Sequence, residues 1–433
     1  MKTEIKGGYD FSFITDDSTL CSQNGAFFLS KLNSRYLADA KSRGCTHILT
    51  SKEVMKILGI DKDIKIIGIT GTNGKTTTAA AIYSMLLDLN EKVAFQGTRG
   101  CFINEKRVAP KGLTTPTIFE TMSHIKEAKD EGCGYFVMEV SSHAIEQNRI
   151  DGLEFALKIF TNVTQDHLDY HKSLENYIQV KSSFFADDSM KLINKDETKI
   201  KFNPKNCRTY GIENSATYKI LAYSLSDGIT AALAKIEKVY DFSSPMRGFF
   251  NLYNILAAIS AVDMLEVAPM QKICEVAENF AGVEGRMEIV SEDPLVIVDF
   301  AHTPDGMEKV LDSMKGQDIV VVFGAGGDRD RGKRAKMGFI ASKFAKKIVV
   351  TSDNPRSENP NEIIQDILKG IRSPKNLRVE TDRKKALQMA IEWQDSDEVL
   401  LVLGKGDERY QEVNGKKIPF DDREIIKQLI KIG

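Results

Sequence analysis

Apolar residues in this chain come in short blocks, and the spacing within each block decides which element it predicts. GAFFLS (25–30) and CTHILTS (45–51) read as short strands around a helix in SRYLADAKSRG (34–44), making a small α/β unit before residue 61. DKDIKIIGIT (61–70) predicts a buried strand that runs into a glycine-containing loop. YFVMEVSS (135–142), FALKIFTNVT (155–164) and MKLINKD (190–196) then alternate with helical stretches, the rhythm of βαβ units in a mainly parallel sheet. GITAALAKIEKVYDFSSP (228–245) is rich in strand formers, and the apolar spacing of NLYNILAAISAVDML (251–265) suits a helix. Near Glu284 the pattern restarts. LVIVDFA (295–301), DIVVVFG (318–324), KKIVVTS (346–352) and DEVLLVLG (397–404) are buried strands, with helices in NEIIQDILKG (361–370) and KKALQMAIEW (384–393). No internal repeat or low-complexity tract interrupts them.

A length of 433 residues exceeds what one core fills. The restarts place domain boundaries near 62 and 283, dividing the chain into 1–62, 63–282 and 283–433. Composition matches a soluble globular protein. Basic and acidic residues nearly cancel, leaving a formal charge of −2, so there is no electrostatic case for nucleic acid or an anionic membrane as partner. Cys21, Cys45, Cys101, Cys133, Cys207 and Cys274 are scattered, with no CxxC pair, which predicts reduced thiols rather than a disulfide framework or zinc knuckle. The first residues, MKTEIKGGYDFSFITDD, lack the apolar run of a signal peptide. No stretch approaches the ~20 apolar residues of a membrane span. A cytoplasmic protein without membrane insertion is expected.

GITGTNGKTTTAAAIYS (68–84) carries the clearest chemistry. A glycine turn between a buried strand and a helix aims backbone N–H groups at an anion, and the helix N-terminus adds positive potential. Lys75 can reach terminal phosphates and Thr76 can hold Mg²⁺. Ile69 stands where the strict P-loop spacing has glycine, so GTxGKTT is a shorter variant. Glu139, in VMEVSSH, and His167, in TNVTQDHLDYH, follow buried strands. Either alone reads as structural; their shared place at the carboxyl ends of parallel strands favours a metal-binding role. Lys181, in LENYIQVKSSFF, alone reads as a solvated lysine.

GTNGKTT, LTTP, MEVSSH, FTNVTQDHLDYH, GFFNLYN, EGRME, DFAHTPDG, GAGGDRDRGKR, DNPR and GKGDERYQ run in this order from residue 71 to about 411. Together they resemble the Mur ligase family, ATP-dependent enzymes of peptidoglycan precursor synthesis, most closely its diaminopimelate-adding branch. Folylpolyglutamate synthases share the loop but not this C-terminal set. The resemblance implies a small N-terminal α/β domain that binds a UDP-sugar, a central P-loop ATPase-like parallel-sheet domain, and a Rossmann-like C-terminal domain that binds an amino acid. It implies that meso-2,6-diaminopimelate is joined to the D-glutamate of UDP-N-acetylmuramoyl-L-alanyl-D-glutamate through an acyl phosphate, releasing ADP and phosphate. A monomer is expected. Gly71, Thr72, Asn73, Gly74, Lys75, Thr76 and Thr77 would bind ATP, with Asn254 at adenine and Arg286 and Asp299 at the ribose and phosphates. Thr76 and Glu139 match ligands of the Mg²⁺ that bridges phosphates. His167 and a CO₂-derived carbamate on Lys181 match those of a second ion. Lys75, His167 and Lys181 are the implied catalytic set.

For the nucleotide-sugar peptide the resemblance implies Ser18, Thr114, Thr115, Ser141, Gln147 and Arg149. Thr19 replaces an arginine common in the family, and Leu113 stands where some relatives carry asparagine. The plain alternative for Thr114 and Thr115 is an N-cap before a helix starting near Pro116. For diaminopimelate it implies Arg329, Asp353, Asn354, Pro355, Arg356, Gly404 and Glu408. Diaminopimelate carries a far amine–carboxylate end. An arginine fork suits that carboxylate, and Pro355 stiffens the turn that presents it. Turn chemistry explains Asn354 and Pro355 without requiring Arg356. A lysine-adding or relaxed-specificity enzyme of the same family is the alternative. A nucleotide-gated switch is a different class: Asn194-Lys195-Asp196 lacks the spacing of a guanine-reading NKxD word, and a switch needs no second small-molecule site.

Overall fold

The computed structural model describes all residues except 6–7, 61–62, 227, 373–375 and 433, and the side chains of these except 168, 169 and 432. The boundary expected at 62, and the start of the strand expected from 61, lie outside the described residues. Residues 2–49 form a four-stranded sheet in the order Lys2–Glu4, Phe13–Thr15, Gly25–Phe28, His47–Leu49, parallel apart from the first strand. The strand expected at 45–51 is shorter because Thr50 opens a helix, Ser51–Leu58, in a capping box with Glu53. The helix expected at 34–44 is a 3₁₀ turn, Ser34–Tyr36, followed by an α-helix, Leu37–Ser42.

The second sheet has eleven strands. Its heart is parallel: Cys207–Gly211, Lys191–Asn194, Phe155–Phe160, Lys65–Thr70, Tyr135–Glu139 and Val93–Gly97 lie side by side in that order. The central three, Phe155–Phe160, Lys65–Thr70 and Tyr135–Glu139, are nearly continuous apolar runs because they are buried on both faces. Beyond Val93–Gly97 lies the antiparallel hairpin Gly100–Ile103 and Lys106–Ala109. The other edge carries Tyr218–Ser224, Ile229–Lys235 and Lys238–Ser244. The helix Phe249–Met264 is apolar almost all round because it is buried against the helix Lys75–Asp88.

The third sheet runs Glu288–Glu292, Leu295–Asp299, Glu398–Leu403, Asp318–Phe323, Lys347–Val350, Leu377–Val379, parallel except for the first strand. In parallel sheets every carboxyl end points the same way, and the loops that leave those ends build the site. Side chains join the second and third units: Arg99 to Glu284 at 2.9 Å, Lys111 to Asp407 at 3.1 Å, and Asn73 to Asp305 at 2.7 Å.

Candidate active site

The strand Lys65–Thr70 ends in Gly71–Gly74, and the helix Lys75–Asp88 begins at once. Neither glycine tolerates a side chain. A Cβ on Gly71 would collide with the Thr161 hydroxyl; Gly74 takes φ +84° and packs on the Asn254 amide. Lys75 Nζ donates to the carbonyls of Gly71 (2.8 Å) and Thr72 (2.9 Å). Burial pushes its pKa down, opposed by Glu139 and Asp166.

Glu139 is fully buried at the end of the neighbouring strand. Its Oε2 accepts from Thr76 Oγ1 at 2.9 Å and its Oε1 from the Thr98 N–H at 2.9 Å. Burial raises its pKa, while Lys75, the Thr98 N–H and the Thr76 hydroxyl pull it back. The Thr76 hydroxyl and the Glu139 carboxylate are hard oxygen donors side by side at the phosphate loop, a pair that suits Mg²⁺. Among the described residues, no group of three or more His, Cys, Asp and Glu is gathered for a metal ion by protein atoms alone.

Lys181 is buried beneath the loop, not solvated. Its Nζ donates to the Gly71 carbonyl at 3.0 Å and the Thr70 hydroxyl at 3.4 Å. Burial first, and the charge of Lys75 second, hold its pKa well below the usual lysine range. His167, at φ +53°, is half-exposed and has its Nε2 3.4 Å from Asp166 Oδ2. Burial lowers its pKa to about 4, against the pull of Asp166. His167 and Lys181 both approach the Tyr177 ring, whose hydroxyl lies 3.2 Å from Thr72 Oγ1.

A cavity of about 580 Å³ opens over the loop, lined by Thr72–Thr77, Glu139, Asn254, Arg286 and Asp299 among others. Asn254 Nδ2 donates to Asn251 Oδ1 (2.9 Å), and its Oδ1 accepts from Thr78 Oγ1 (3.4 Å). The Arg286 guanidinium lies 4.1 Å over the Phe300 ring. Asp299 accepts from the N–H groups of Met287 and Ala301, 2.8 and 2.7 Å away.

Thr115, Ser141, Gln147 and Arg149 form one network. Thr115 Oγ1 donates to the Glu139 carbonyl (2.9 Å) and accepts from the Ser141 N–H (3.0 Å). Arg149 donates to the Thr115 carbonyl (2.9 Å) and to Gln147 Oε1 (3.0 Å). Thr114 Oγ1 lies 3.1 Å from Thr98 Oγ1. Neither threonine is an N-cap. The helix begins at Ile118 with Thr117 as its cap, because Thr115 is held back by the end of the Glu139 strand. Ser18 is buried in the turn Ser18–Leu20, outside the linings of both cavities described here.

A second cavity, of about 780 Å³, holds Arg329, Asp353, Asn354, Arg356, Gly404 and Glu408. Asn354 Nδ2 donates to Glu408 Oε2 (2.8 Å), and its Oδ1 accepts from the fully buried Lys405 (3.2 Å). Asp353 Oδ1 accepts from the Asn354 N–H (2.7 Å). Its Oδ2 is buried without a hydrogen-bond partner, beside Gly404 at φ +113°. The Pro355 carbonyl packs on Gly327. Arg356, at φ +52°, donates to the Gly327 carbonyl (2.6 Å) and pairs with Glu412 (3.2 Å). Arg329 is exposed at the rim. The two cavities share Asp166, His167, Phe300, His302 and Thr303.

The family model of the Mur ligase middle domain matches residues 69–262, and that of the Mur ligase glutamate ligase domain matches residues 285–406. The chain is 55% identical over 417 residues to UDP-N-acetylmuramoyl-L-alanyl-D-glutamate–2,6-diaminopimelate ligase of Wolinella succinogenes, covering 96% of each chain. It is 50% identical over 437 residues to the Helicobacter pylori (strain J99) protein of that name, covering 98% of this chain and 97% of that one. The chain belongs to the Mur ligase family. A solved structure of a ligase with the same name superposes with a TM-score of 0.70 at 28% identity, over 97% of this chain and 94% of that one. As a Mur ligase the protein is an ATP-dependent enzyme that forms amide bonds. Among the described residues no helix is long and apolar enough to cross a membrane.

Several residues of this Mur ligase's site were not read from the sequence. Asp166 lines both cavities and acts on the charges of Lys75, Lys181 and His167. Its one signal is its place beside His167 in TQDH. Lys405, inside GKGDERYQ, ties Asn354 to Glu408. Arg383 donates to the Ser352 and Leu403 carbonyls behind the second cavity and pairs with Asp422, both side chains fully buried. No local pattern marks it.

Proposed function

We propose that this Mur ligase joins meso-2,6-diaminopimelate to the D-glutamate of UDP-N-acetylmuramoyl-L-alanyl-D-glutamate, releasing ADP and phosphate, as a step of peptidoglycan precursor synthesis in the cytoplasm. One observation carries the reading: a cavity over a phosphate loop and a cavity built from DNPR and GKGDERYQ meet at a common wall. The names of the relatives at 55% and 50% identity support it. ATP occupies the first cavity, with its phosphates on Gly71–Thr77. Thr76 and Glu139 would hold Mg²⁺, which would supply positive charge to the transferring phosphoryl group. Lys75 stabilises the same charge. The D-glutamate carboxylate becomes an acyl phosphate, the amine attacks its carbonyl carbon, and phosphate leaves as the amide forms. Thr114, Thr115, Ser141, Gln147 and Arg149 hold the sugar-peptide, with Ser18 on the uracil side.

Diaminopimelate lies in the second cavity. The Arg356 guanidinium and Arg329 face its far carboxylate, while the unpaired Asp353 Oδ2 and Glu408 suit its ammonium. The depressed pKa of Lys181 supports a neutral amine, which takes up CO₂ and loses a proton to give a carbamate. With His167 that carbamate would hold a second Mg²⁺. The test is phosphate release with each candidate amino acid in turn, the other substrates saturating. Meso-diaminopimelate should be used far more efficiently than L-lysine. Equal use of lysine overturns the specificity and favours the lysine-adding alternative.

A further inference from the structure

We infer that Asp305 is a positioning residue that couples the phosphate-loop cavity to the amino-acid cavity through Asn73, so that nucleotide and diaminopimelate bind cooperatively. This rests on the ligase reading above and deepens it.

Asn73 is the loop residue whose backbone is already committed. Its N–H donates to Asn162 Oδ1 (2.9 Å), and its carbonyl accepts from Thr161 Oγ1 (2.7 Å) and Asn162 Nδ2 (3.1 Å). Its side chain leaves the loop and donates to Asp305 Oδ2 at 2.7 Å. The same oxygen accepts from Thr164 Oγ1 (2.8 Å) and pairs with Lys309 (3.0 Å). Asp305 sits in the first turn of the helix Pro304–Ser313, capped by Thr303. A carboxylate is stabilised there by the helix N-terminus.

Asn73 lines the first cavity and not the second, whereas Asp305 lines the second and not the first. Their hydrogen bond therefore passes directly from one ligand site to the other. The neighbouring links, Arg99–Glu284 and Lys111–Asp407, join the same units through partly exposed ion pairs that salt screens, and none of these four residues lines either cavity. Phosphate on the loop fixes Asn73. Asn73 then fixes Asp305, and with it the helix whose start, at His302–Asp305, walls the amino-acid cavity. Any preference of nucleotide for this arrangement becomes a preference of the amino acid for it. By linkage the two affinities change by the same factor.

The test is calorimetric titration of the full-length enzyme with meso-diaminopimelate, with and without a non-hydrolysable ATP analogue and Mg²⁺, the nucleotide-sugar dipeptide saturating throughout. The reciprocal titration exchanges the two ligands. In the wild type the analogue should tighten diaminopimelate binding by about fivefold or more. In Asp305→Ala that ratio should fall to near one, with each ligand still binding alone. Asp305→Asn keeps the shape and can still accept from Asn73 and Thr164 through its one amide oxygen, but the bonds lose their charge assistance and the Lys309 pair is lost, so its ratio should be intermediate. It also serves as the variant if Asp305→Ala does not fold. A ratio in either folded variant equal to the wild-type ratio overturns the coupling and leaves the ligase reading intact. A wild type that never binds diaminopimelate overturns the assignment of that amino acid, and the coupling with it.

Discussion

Glu139→Gln separates the chemistry of the phosphate loop from its packing. Glu139 Oε1 accepts from the Thr98 N–H and Oε2 from the Thr76 hydroxyl. Glutamine can place its oxygen on Thr98 and its amide nitrogen against Thr76, whose hydroxyl rotates to accept. The hydrogen bonds survive and a buried charge disappears, so the melting temperature should change by no more than a few degrees. Function should suffer much more. A carboxylate and a cation about 4 Å apart attract by about 4 kcal/mol per unit charge at an effective dielectric of ~20. Losing most of that from the transition state lowers kcat by about 10²–10³-fold. The Mg²⁺ concentration for half-maximal rate should rise as well. The assay is phosphate release against Mg²⁺, with circular dichroism to confirm folding. A folded Glu139→Gln enzyme with kcat within about threefold of wild type at the same Mg²⁺ would remove Glu139 from the metal site.

Lys181→Ala should lose most activity and regain part of it with added short carboxylates, whereas Lys181→Arg should be as inactive as alanine; full activity in the arginine variant refutes the carbamate. Asp196 should stabilise the fold in a pH-dependent way. Burial pushes its carboxyl up, but N–H groups of Glu213, Asn214 and Ile212 and the Tyr253 hydroxyl outweigh this and hold it at about 2. A depressed carboxyl stabilises fully above its ordinary 3.8 and loses that contribution as pH falls towards about 2. The stability gap between wild type and Asp196→Asn should thus narrow below about pH 4, and a gap that stays constant there refutes the assignment. Asp422→Ala leaves the buried Arg383 unpaired and should destabilise the fold by about 3–5 kcal/mol in denaturant titration; a loss under about 1 kcal/mol would mean that water reaches that pair.

What the sequence determined by itself is local or repeated at short range. The phosphate loop is legible because a strand, two glycines, a lysine and a threonine must be contiguous to cradle an anion. The parallel strands are legible because burial on both faces leaves uninterrupted apolar runs such as KIIGIT and DIVVVF. The family words are legible because they keep both identity and order along the chain. What only the tertiary structure decided is which distant groups meet. Lys181 lies on a helix that reads as half-solvated, and is buried because that helix packs beneath the loop near Gly71, 110 residues earlier. Asp305, 232 residues from Asn73, looks like an ordinary first-turn carboxylate until the two sheets bring their loops together. The strands at 93–109 and 207–224, on either side of the sheet's centre, carry weaker apolar patterns, and pairing with neighbouring strands holds them in the sheet. A charge says nothing in sequence about whether it will be solvated, because desolvation and pairing depend on neighbours that the chain supplies from far away.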